Sequence, residues 1–361
     1  MRKIKYIIQT LLICFILNIF SINAFADTNL KVSARNAIAI DKESKQILYE
    51  QNAFEIVKMA STTKILTALV AIENGDLNEE FEISKNAASV RGSKVGYKAG
   101  EKIKLRELLY GLMYKSGNDA AIAIAEGIGG SVEGFAEKMN HFAIGIGILD
   151  SHFQTPHGLD KEDHYSSAYD LAILSSAAMN YDIFREIVGT KSINKERYGF
   201  SRDYNNINKI LWKIPGANGI KTGYTGGAGK CLVSSVNKDG RDIIIVVLNC
   251  PDRWNQTEKI FNYIKDTYSF NLLNSKQLVL EQVNPLLAQN ISEEEIIKSY
   301  SEDNTEYELE VFKPYTNLNK GDIIGAFKNS KIKSKNNNIE QQLKLSRNMK
   351  REDLDNIITF K

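Results

Sequence analysis

The chain has 361 residues, of which 25% are charged, and a formal net charge of +2 at pH 7. This length suits one large domain followed by a small one. The near-neutral charge argues against nucleic acid or an anionic lipid surface as the main partner.

The N-terminus is typical of a secretion signal. Three cations within the first five residues precede an apolar core at residues 11–20, and Ala24–Ala26 forms a small-residue cleavage site. A retained membrane anchor is the alternative, because no charge lies between the cations and the cleavage site. Polar residues within that stretch favour cleavage. We therefore predict a signal peptide at residues 1–26 and a mature protein that acts outside the cytoplasmic membrane.

Strand-like and helix-like patterns alternate over the next 250 or so residues. A long helical block is predicted between an N-terminal and a C-terminal group of strands, and a closing helix at Trp254–Leu273. The run Ile243–Leu248 lacks alternation and therefore suits a central strand covered on both faces. The predicted strands are 33–40, 46–50, 218–224, 230–237 and 242–249.

Ser61 and Lys64 form a Ser-x-x-Lys motif at the start of an apolar helix. Apolar residues recur at helical spacing from Ile65 until Gly75 ends the run. Residues three apart on a helix share a face, so the Lys64 amine can reach the Ser61 hydroxyl. A serine hydroxyl needs an adjacent base to become a nucleophile, and a buried lysine of lowered pKa is such a base. On its own, the motif also fits a helix N-cap beside an exposed lysine.

Two further motifs follow in order. Ser116 and Asn118 belong to a Ser-Gly-Asn segment, which its flanking apolar runs place on a tight loop between two helices. Lys221, Thr222 and Gly223 lie in a glycine-rich approach to an apolar strand, where the backbone must come close to another group. Taken separately, the first segment fits a helix cap and Lys221 a solvated strand end. Together, the three motifs are the set of class A β-lactamases and penicillin-binding proteins.

The chain resembles the low-molecular-mass penicillin-binding proteins that are serine D-Ala-D-Ala carboxypeptidases. Besides the motifs, residues 37–50 resemble the family's opening hairpin, 156–170 its middle segment, and 221–251 its strand region. The resemblance is strongest over residues 30–270 and continues weakly beyond them. It implies a catalytic domain at 27–273 with an α/β (α+β) serine-transferase, β-lactamase-like fold, in which an antiparallel sheet lies beside a helical region.

The resemblance also implies removal of the terminal D-Ala from peptidoglycan stem peptides ending in D-Ala-D-Ala, at the cell wall or the outer face of the cytoplasmic membrane. β-Lactam antibiotics would be covalent inhibitors, and no cofactor is expected. Ser61 would attack the penultimate carbonyl to form an acyl-enzyme, with Lys64 as the general base. Ser116 would relay a proton toward the leaving amine, and Asn118 would hold the amide backbone of the substrate.

The three residues of the third motif and the next residue, Tyr224, complete the implied site. Lys221 and Thr222 would bind the terminal carboxylate of the substrate, one by charge and one by its hydroxyl. Gly223 would let the substrate lie along the edge of the strand. The oxyanion hole would use the backbone N–H groups of Ser61 and Tyr224.

Three other functions compete with this prediction. A class A β-lactamase needs a glutamate that activates the deacylating water, and residues 147–170 lack the Glu-x-x-Leu-Asn segment that such enzymes usually carry. Gly117 also stands where those enzymes have Asp. A D,D-endopeptidase would use the same residues and stays open. A non-catalytic penicillin sensor is disfavoured, because every nucleophile, base and relay position is filled and no transmembrane relay follows.

Residues 277–361 are predicted to form a small β-rich domain. Tyr307–Val311 alternates apolar with acidic residues, and Ile323–Phe327 is a second strand candidate. Lys328–Asn338 is predicted to be a mobile loop. Family members often end in an amphipathic membrane-anchoring helix, but residues 339–361 carry only a ragged apolar face and fit either a helix or a strand. Peripheral membrane association therefore stays open.

Two cysteines, Cys231 and Cys250, remain after cleavage of the signal. They lie on two strands joined by an Asp-Gly turn, which pairs position 231 with position 248 and leaves Cys250 on a diagonal. Because a diagonal cross-strand pair fits disulfide geometry poorly, we predict two separate thiols. The four histidines lack the spacing of metal ligands, so no metal site is predicted.

Overall fold

Along residues 30–274, a group of strands comes first, a series of mostly helical segments follows, and a second group of strands comes near the end. The computed structural model describes residues 30–274 and, beyond them, 289, 295–299, 307–311, 317–321, 323–329, 340–350 and 352–353. The predicted signal peptide lies outside the described residues. The strands are β1 Asn36–Asp41, β2 Ile47–Gln51, β3 Glu80–Glu82, β4 Lys102–Lys104, β5 Ser192–Ile193, β6 Tyr204–Asn205, β7 Ala217–Thr225, β8 Gly229–Lys238, β9 Arg241–Leu248, β10 Tyr268–Asn274, β11 Glu295–Ser299, β12 Tyr307–Val311, β13 Ile323–Asn329 and β14 Glu340–Lys344.

Short and long helices fill the region between β2 and β7, and a further helix follows β9. The helices are α1 Lys64–Asn74, α2 Lys85–Ser89, α3 Leu105–Tyr114, α4 Asn118–Gly129, α5 Val132–Gly145, α6 Ala168–Ala178, α7 Asp182–Gly189, α8 Lys195–Tyr198, α9 Ile210–Lys213 and α10 Arg253–Thr267. A 3-10 turn, Ala60–Thr63, immediately precedes α1.

A five-stranded antiparallel sheet in the order β2-β1-β9-β8-β7 is the framework of this region. Its middle strand, β9, is buried from Ile243 to Leu248, as the unbroken apolar run predicts. β1 pairs with β9 from Asn36 opposite Leu248 to Asp41 opposite Ile243. Residues about 200 apart in sequence therefore share one sheet, and the predicted α/β class with an antiparallel sheet is confirmed.

The helix α1 lies at the centre of the helical region. Its residues from Lys64 to Ala71 are all buried, and it packs against α3, α4, α5 and α6. A helix whose first two turns are buried on every side lies in the core rather than at the surface. Its N-terminal end, with the 3-10 turn, packs against β7. The first and third motifs are brought together by this contact between α1 and the outer strand of the sheet.

The predicted closing helix is too long. α10 ends at Thr267, and Tyr268–Asn274 continues as β10, which pairs with β11. Helical and strand spacings are hard to distinguish in a short apolar run, so periodicity alone does not locate the boundary. A tertiary contact favours the strand, because the Tyr268 hydroxyl donates to the carbonyl of Leu48 at 2.9 Å.

The C-terminal strands bear out two of the predicted elements. β12 and β13 pair with each other, and β14 adds a third antiparallel strand. β13 continues through Asn329, so Lys328 and Asn329 are strand residues and the loop prediction was wrong for them. Residues 330–338 lie outside the described residues. The division into a catalytic and a C-terminal domain stays a prediction. Within the described ranges, no helix has the length and apolar character needed to cross a bilayer.

Both cysteines are free and buried. The pairing of Leu232 with Val247 places Cys231 opposite Leu248, as the turn predicts. Burial raises the pKa of each thiol to about 11. The prediction of two separate thiols is confirmed.

Candidate active site

Ser61 lies on the 3-10 turn that leads into α1. The Thr62 hydroxyl donates to the carbonyl of Met59 at 2.6 Å, and the Thr63 hydroxyl to that of Ala60 at 2.8 Å. These two bonds hold the turn tightly closed. The sequence predicted that the motif opens an α-helix, whereas the α-helix begins only at Lys64. Because side chains three apart are eclipsed on a 3-10 turn, Lys64 Nζ still lies 3.0 Å from Ser61 Oγ.

The Lys64 amine is fully buried and has three oxygen neighbours. Besides Ser61 Oγ, it lies 2.7 Å from Asn118 Oδ1 and 2.7 Å from the carbonyl oxygen of His157. Burial, followed by the positive charge of Lys221, holds the pKa of Lys64 well below its ordinary value, while Asp119 opposes the shift. A neutral amine next to a serine hydroxyl can accept its proton.

The Ser-Gly-Asn segment connects α3 to α4, as the sequence predicts. Ser116 is 5% exposed and has a left-handed φ of 54°, which lets the chain reverse within three residues. Asn118 is the first residue of α4 and is 2% exposed. Its Nδ2 donates to the carbonyl of Arg91 at 2.6 Å, while its Oδ1 accepts from Lys64. Asn118 is therefore held on both sides.

The third motif lies on β7, the outer strand of the sheet. Lys221 and Thr222 are buried, Gly223 lies against the 3-10 turn, and Tyr224 is 66% exposed at the edge. A Cβ atom on Gly223 would lie 3.2 Å from the backbone nitrogen of Ser61, so the glycine permits close approach. Burial, followed by the charge of Arg253, lowers the pKa of Lys221 from 10.5 to about 7. Lys221 Nζ donates to the carbonyl of Thr222 at 2.8 Å.

Arg253 joins this cationic group from the first turn of α10. Its Nη1 donates to the carbonyls of Gly223 at 2.7 Å and Cys231 at 2.9 Å, and its buried Nε has no hydrogen-bond partner. Two cations, Lys221 and Arg253, therefore lie close to the end of β7 next to Ser61. Such a pair can attract a carboxylate.

A loop between α5 and α6 forms another wall of the site. The His157 carbonyl contacts Lys64, as described, and lies 3.4 Å from Ser61 Oγ. The next residue, Gly158, has a φ of +82°, and a Cβ there would lie 2.0 Å from the carbonyl oxygen of Ala60. Only glycine fits so close to the turn. Asp160 then accepts from the Thr225 hydroxyl at 2.8 Å and from the Gly227 N–H at 3.0 Å, which ties the loop to the hairpin of β7 and β8.

The structure brings Ser61, Lys64 and Asn118 into direct hydrogen-bond contact and places Gly223 against Ser61. Sequence reasoning missed the Arg253 guanidinium and the His157 carbonyl. The position of Arg253 at the start of a helix gives no motif, and a backbone carbonyl has no signature in residue type. Within the described region, the side chains of Ser61 and Lys64 form hydrogen bonds with each other, Asn118 and His157, and none with a glutamate. Nor do the described ranges contain three His, Cys, Asp or Glu side chains grouped to hold a metal ion.

Known proteins resemble this chain in sequence and in fold. A profile of the family described as D-alanyl-D-alanine carboxypeptidase matches residues 23–252. The D-alanyl-D-alanine carboxypeptidase DacF of Bacillus subtilis is 34% identical over 294 residues, which are 77% of this chain and 76% of that protein.

Two solved structures are also similar. A variant of a Streptomyces DD-transpeptidase has a TM-score of 0.62 and 32% identity, covering 66% of this chain and 99% of that one. The D-alanyl-D-alanine carboxypeptidase DacD of Francisella tularensis has a TM-score of 0.66 and 24% identity, covering 89% and 95%, and supports the fold alone. Through the family profile and the Bacillus relative, this chain belongs to the D-alanyl-D-alanine carboxypeptidase family.

Proposed function

We propose that this protein is a serine D-Ala-D-Ala carboxypeptidase that removes the terminal D-Ala from peptidoglycan stem pentapeptides through an acyl-enzyme on Ser61. The observation that carries the proposal is the buried Lys64 amine, 3.0 Å from Ser61 Oγ and with a strongly lowered pKa. Family membership supports the same reaction. Such an enzyme contributes to cell-wall biogenesis and remodelling.

In the acylation step, neutral Lys64 takes the hydroxyl proton of Ser61 as Oγ attacks the penultimate carbonyl. Asn118 and the His157 carbonyl keep the amine oriented toward Ser61 through the two 2.7 Å contacts. Ser116, two residues before Asn118 in sequence, passes a proton to the leaving amine of D-Ala. The peptide C–N bond breaks, an ester forms on Ser61, and free D-Ala leaves.

Substrate recognition rests on β7. The Lys221 ammonium and the Thr222 hydroxyl bind the terminal carboxylate, and Arg253 adds positive charge from the side. The stem peptide lies along the open edge of the strand at Gly223. The N–H groups of Ser61 and Tyr224 stabilise the tetrahedral oxyanion, and the loss of one such donor typically costs about 3–4 kcal/mol.

Water then hydrolyses the ester and releases the shortened peptide. A β-lactam opens on Ser61 by the same attack, but its ring fragment stays attached and hinders the water. β-Lactam antibiotics are therefore expected to be covalent inhibitors. No cofactor or metal takes part in these steps.

We propose that these reactions take place outside the cytoplasm, at the cell wall or the outer face of the cytoplasmic membrane. A signal peptide at residues 1–26 would direct the export, and the C-terminal region would allow peripheral contact with the membrane. A fusion of residues 1–26 to a reporter that works only after export tests the first point. Loss of reporter activity when the apolar core at 11–20 is interrupted by charges is the expected result, and equal activity would contradict it.

The catalytic proposal is tested by incubating the purified protein with a diacyl-Lys-D-Ala-D-Ala tripeptide and measuring free D-alanine. A parallel sample receives labelled penicillin, and mass spectrometry identifies the acylated peptide. We expect D-alanine release and a label on Ser61, both lost in Ser61→Ala. The matched control is Ser131→Ala, which removes an exposed N-cap serine of α5 and should keep full activity.

The outcomes separate the competing functions. Undiminished D-alanine release by Ser61→Ala would refute the proposed nucleophile. Acylation without D-alanine release would point to a D,D-endopeptidase or a sensor, and cross-linked muropeptides would then separate these two. Rapid turnover of penicillin would instead indicate a β-lactamase.

A further inference from the structure

Asp119 is a buried carboxylate that the proposed reaction does not use. It is 0% exposed and follows Asn118 in the first turn of α4. Oδ1 accepts from the N–H groups of Val95 at 2.9 Å and of Ala120 at 3.0 Å. Oδ2 accepts from Gly96 at 2.8 Å and Tyr97 at 3.2 Å. One carboxylate therefore collects four backbone donors, three of them from a loop more than 20 residues away in sequence.

We call this loop, residues 91–97 between α2 and β4, the cover loop. Two of its backbone carbonyls accept hydrogen bonds from Asn118. Its Ser93 carbonyl accepts from the backbone N–H of Asn118 at 2.8 Å, and its Arg91 carbonyl accepts from Asn118 Nδ2 at 2.6 Å. Residues 91–94 and Gly96 of the cover loop are exposed, whereas Val95 is half-buried and Tyr97 is buried in the core. Hydrogen bonds to Asp119 and Asn118 join the exposed part of the loop to the core, and Tyr97 anchors its C-terminal end.

The contacts form a continuous chain that ends at the nucleophile. Asp119 binds the cover loop, the cover loop binds Asn118, Asn118 Oδ1 binds Lys64 Nζ at 2.7 Å, and Nζ lies 3.0 Å from Ser61 Oγ. When the amide oxygen of Asn118 faces Lys64, its buried nitrogen points to the opposite side, where the lack of an acceptor would disfavour this orientation. The Arg91 carbonyl is that acceptor.

We propose that Asp119 is a positioning residue for the reaction: it pins the cover loop, and the pinned loop fixes Asn118 in the orientation that holds Lys64 against Ser61. This inference rests on the proposed function of Ser61 and Lys64. Asp119 itself touches neither substrate nor reacting atoms. It acts through the backbone of residues 95–97 and through its charge near Lys64.

The first test is Asp119→Asn, which keeps the size of the side chain. The asparagine amide has only one oxygen, so its Nδ2 would face the N–H groups of Gly96 and Tyr97, donor against donor. The loop should stay attached at Tyr97, whose hydroxyl bonds that of Tyr204 at 2.8 Å, so the variant is expected to fold. A misplacement of about 1 Å can lower a rate about 100-fold, and we expect acylation by a β-lactam to slow about 10- to 100-fold.

The pH profile of acylation distinguishes positioning from a general structural defect. Four titratable groups face Lys64: Lys221 from β7, Asp119 from α4, and His157 and His164 from the loop between α5 and α6. Burial lowers the pKa of His157 to about 3 and that of His164 to about 4, so both are neutral at assay pH. Removing the Asp119 charge therefore leaves Lys221 unopposed, lowers the pKa of Lys64 further, and moves the midpoint of acylation to lower pH. A smaller fraction of folded protein would lower the amplitude without moving the midpoint.

Asp170→Asn is the matched control. Asp170 also lies in the first turn of a helix, α6, is 4% exposed, and accepts from the Asp150 N–H at 3.0 Å and the Ser151 hydroxyl at 2.7 Å. None of its contacts reaches Lys64 or Asn118. It should lower thermal stability while leaving the midpoint unchanged.

A second pair of variants tests the cover loop without altering Asp119. Gly92 and Gly100 have φ values of +86° and +87°, so alanine strains the backbone equally at both. A Cβ on Gly92 would lie 2.8 Å from Asn118 Nδ2, whereas a Cβ on Gly100 meets nothing within 4 Å. We expect Gly92→Ala to slow acylation about 10-fold or more. Gly100→Ala should acylate at the wild-type rate, although its backbone is equally strained.

The proposal is overturned if Asp119→Asn keeps the wild-type rate and midpoint, if Asp170→Asn shifts the midpoint equally, or if Gly92→Ala and Gly100→Ala behave alike. If Asp119→Asn does not fold, the glycine pair decides. Failure of the wild type to acylate at Ser61 would overturn the proposed function instead, so the two failures are distinguishable.

Discussion

Replacement of Lys221 by methionine should stabilise the protein. Lys221 is 1% exposed, and its pKa falls from 10.5 to about 7, first because of burial and then because of Arg253. A depression of about 3.5 in pKa, at about 1.4 kcal/mol for each, corresponds to about 5 kcal/mol of destabilisation while the folded protein keeps Lys221 protonated. Loss of the bond to the Thr222 carbonyl offsets about 1 kcal/mol of any gain. We expect Lys221→Met to be about 2–4 kcal/mol more stable at pH 6.

The pH dependence gives this prediction its sign. Between about pH 7 and pH 10.5, Lys221 is protonated in the unfolded chain and mostly neutral in the folded protein. The unfolded state then binds more protons, so this group makes the wild type more stable as pH rises. Below about pH 7 both states are protonated and the destabilisation is complete. The advantage of Lys221→Met should therefore be largest at pH 6 and shrink by about 1.4 kcal/mol per pH unit above pH 7.

Urea unfolding of both proteins at pH 6, 8 and 9.5 measures this difference directly. Buried tyrosines and cysteines also titrate at alkaline pH, but they are common to both proteins and cancel in the comparison. In thermal melts at pH 6, the variant should gain roughly 4–16 °C, at about 2–4 °C per kcal/mol for a domain of this size. The control is Lys213→Met, because Lys213 is a partly exposed lysine paired with Glu258 at 2.7 Å, and it should gain nothing. Equal stability of Lys221→Met and wild type at pH 6, or an advantage that is constant with pH, would refute the reasoning.

Three further substitutions or treatments test other parts of the site. Gly158→Ala should lower the melting temperature by several degrees more than Gly147→Ala and slow acylation about 100-fold. Both glycines have φ near +82°, but only a Cβ on Gly158 would meet the Ala60 carbonyl. Similar acylation rates for the two variants would contradict this prediction. Asp160→Asn weakens the tie to the hairpin of β7 and β8, so stopped-flow acylation should slow about 10-fold while the melting temperature changes little; a large stability loss would show a different role. Cys231 and Cys250 should react with Ellman's reagent only after unfolding, since burial raises both pKa values to about 11, and rapid labelling of the native protein would exclude that burial.

The sequence predicted those parts of the site that are encoded by short local patterns. The spacing of Ser61 and Lys64 brings their side chains together on either an α-helix or a 3-10 turn, so the contact was predictable although the helix type was not. Ser116 and Asn118 lie between two apolar runs, which was sufficient to place them on a tight connection. The edge position of β7 followed only from the structure.

The remaining parts depend on contacts between distant residues. The cover loop reaches Asn118 through backbone carbonyls, and any residue type supplies a carbonyl. Asp119 could have been a surface acid at a helix start, a common position for acids, and only its four backbone donors identify another role. The start of β10 at Tyr268 likewise depends on a hydrogen bond to Leu48, more than 200 residues earlier.

The electrostatic arrangement connects the stability and the reactivity of this site. The positive charge of buried Lys221 disfavours a second charge on buried Lys64, and the nearby Asp119 carboxylate is occupied by backbone N–H groups rather than by either amine. Repulsion by Lys221 helps to keep Lys64 neutral, while Asp119 limits that effect. Lys221→Met should therefore raise the pKa of Lys64 and move the midpoint of β-lactam acylation to higher pH, whereas Asp119→Asn should move it to lower pH.

These opposite shifts follow from charge alone and do not depend on how much each variant slows the reaction. They are measured from acylation rates across pH 5–10, each profile normalised to its own maximum. Shifts of the same sign in the two variants would mean that altered packing, not the charges of Lys221 and Asp119, determines when Lys64 can accept the proton of Ser61. Opposite signs would mean that the same charge of Lys221 that destabilises the fold keeps the base ready for acylation.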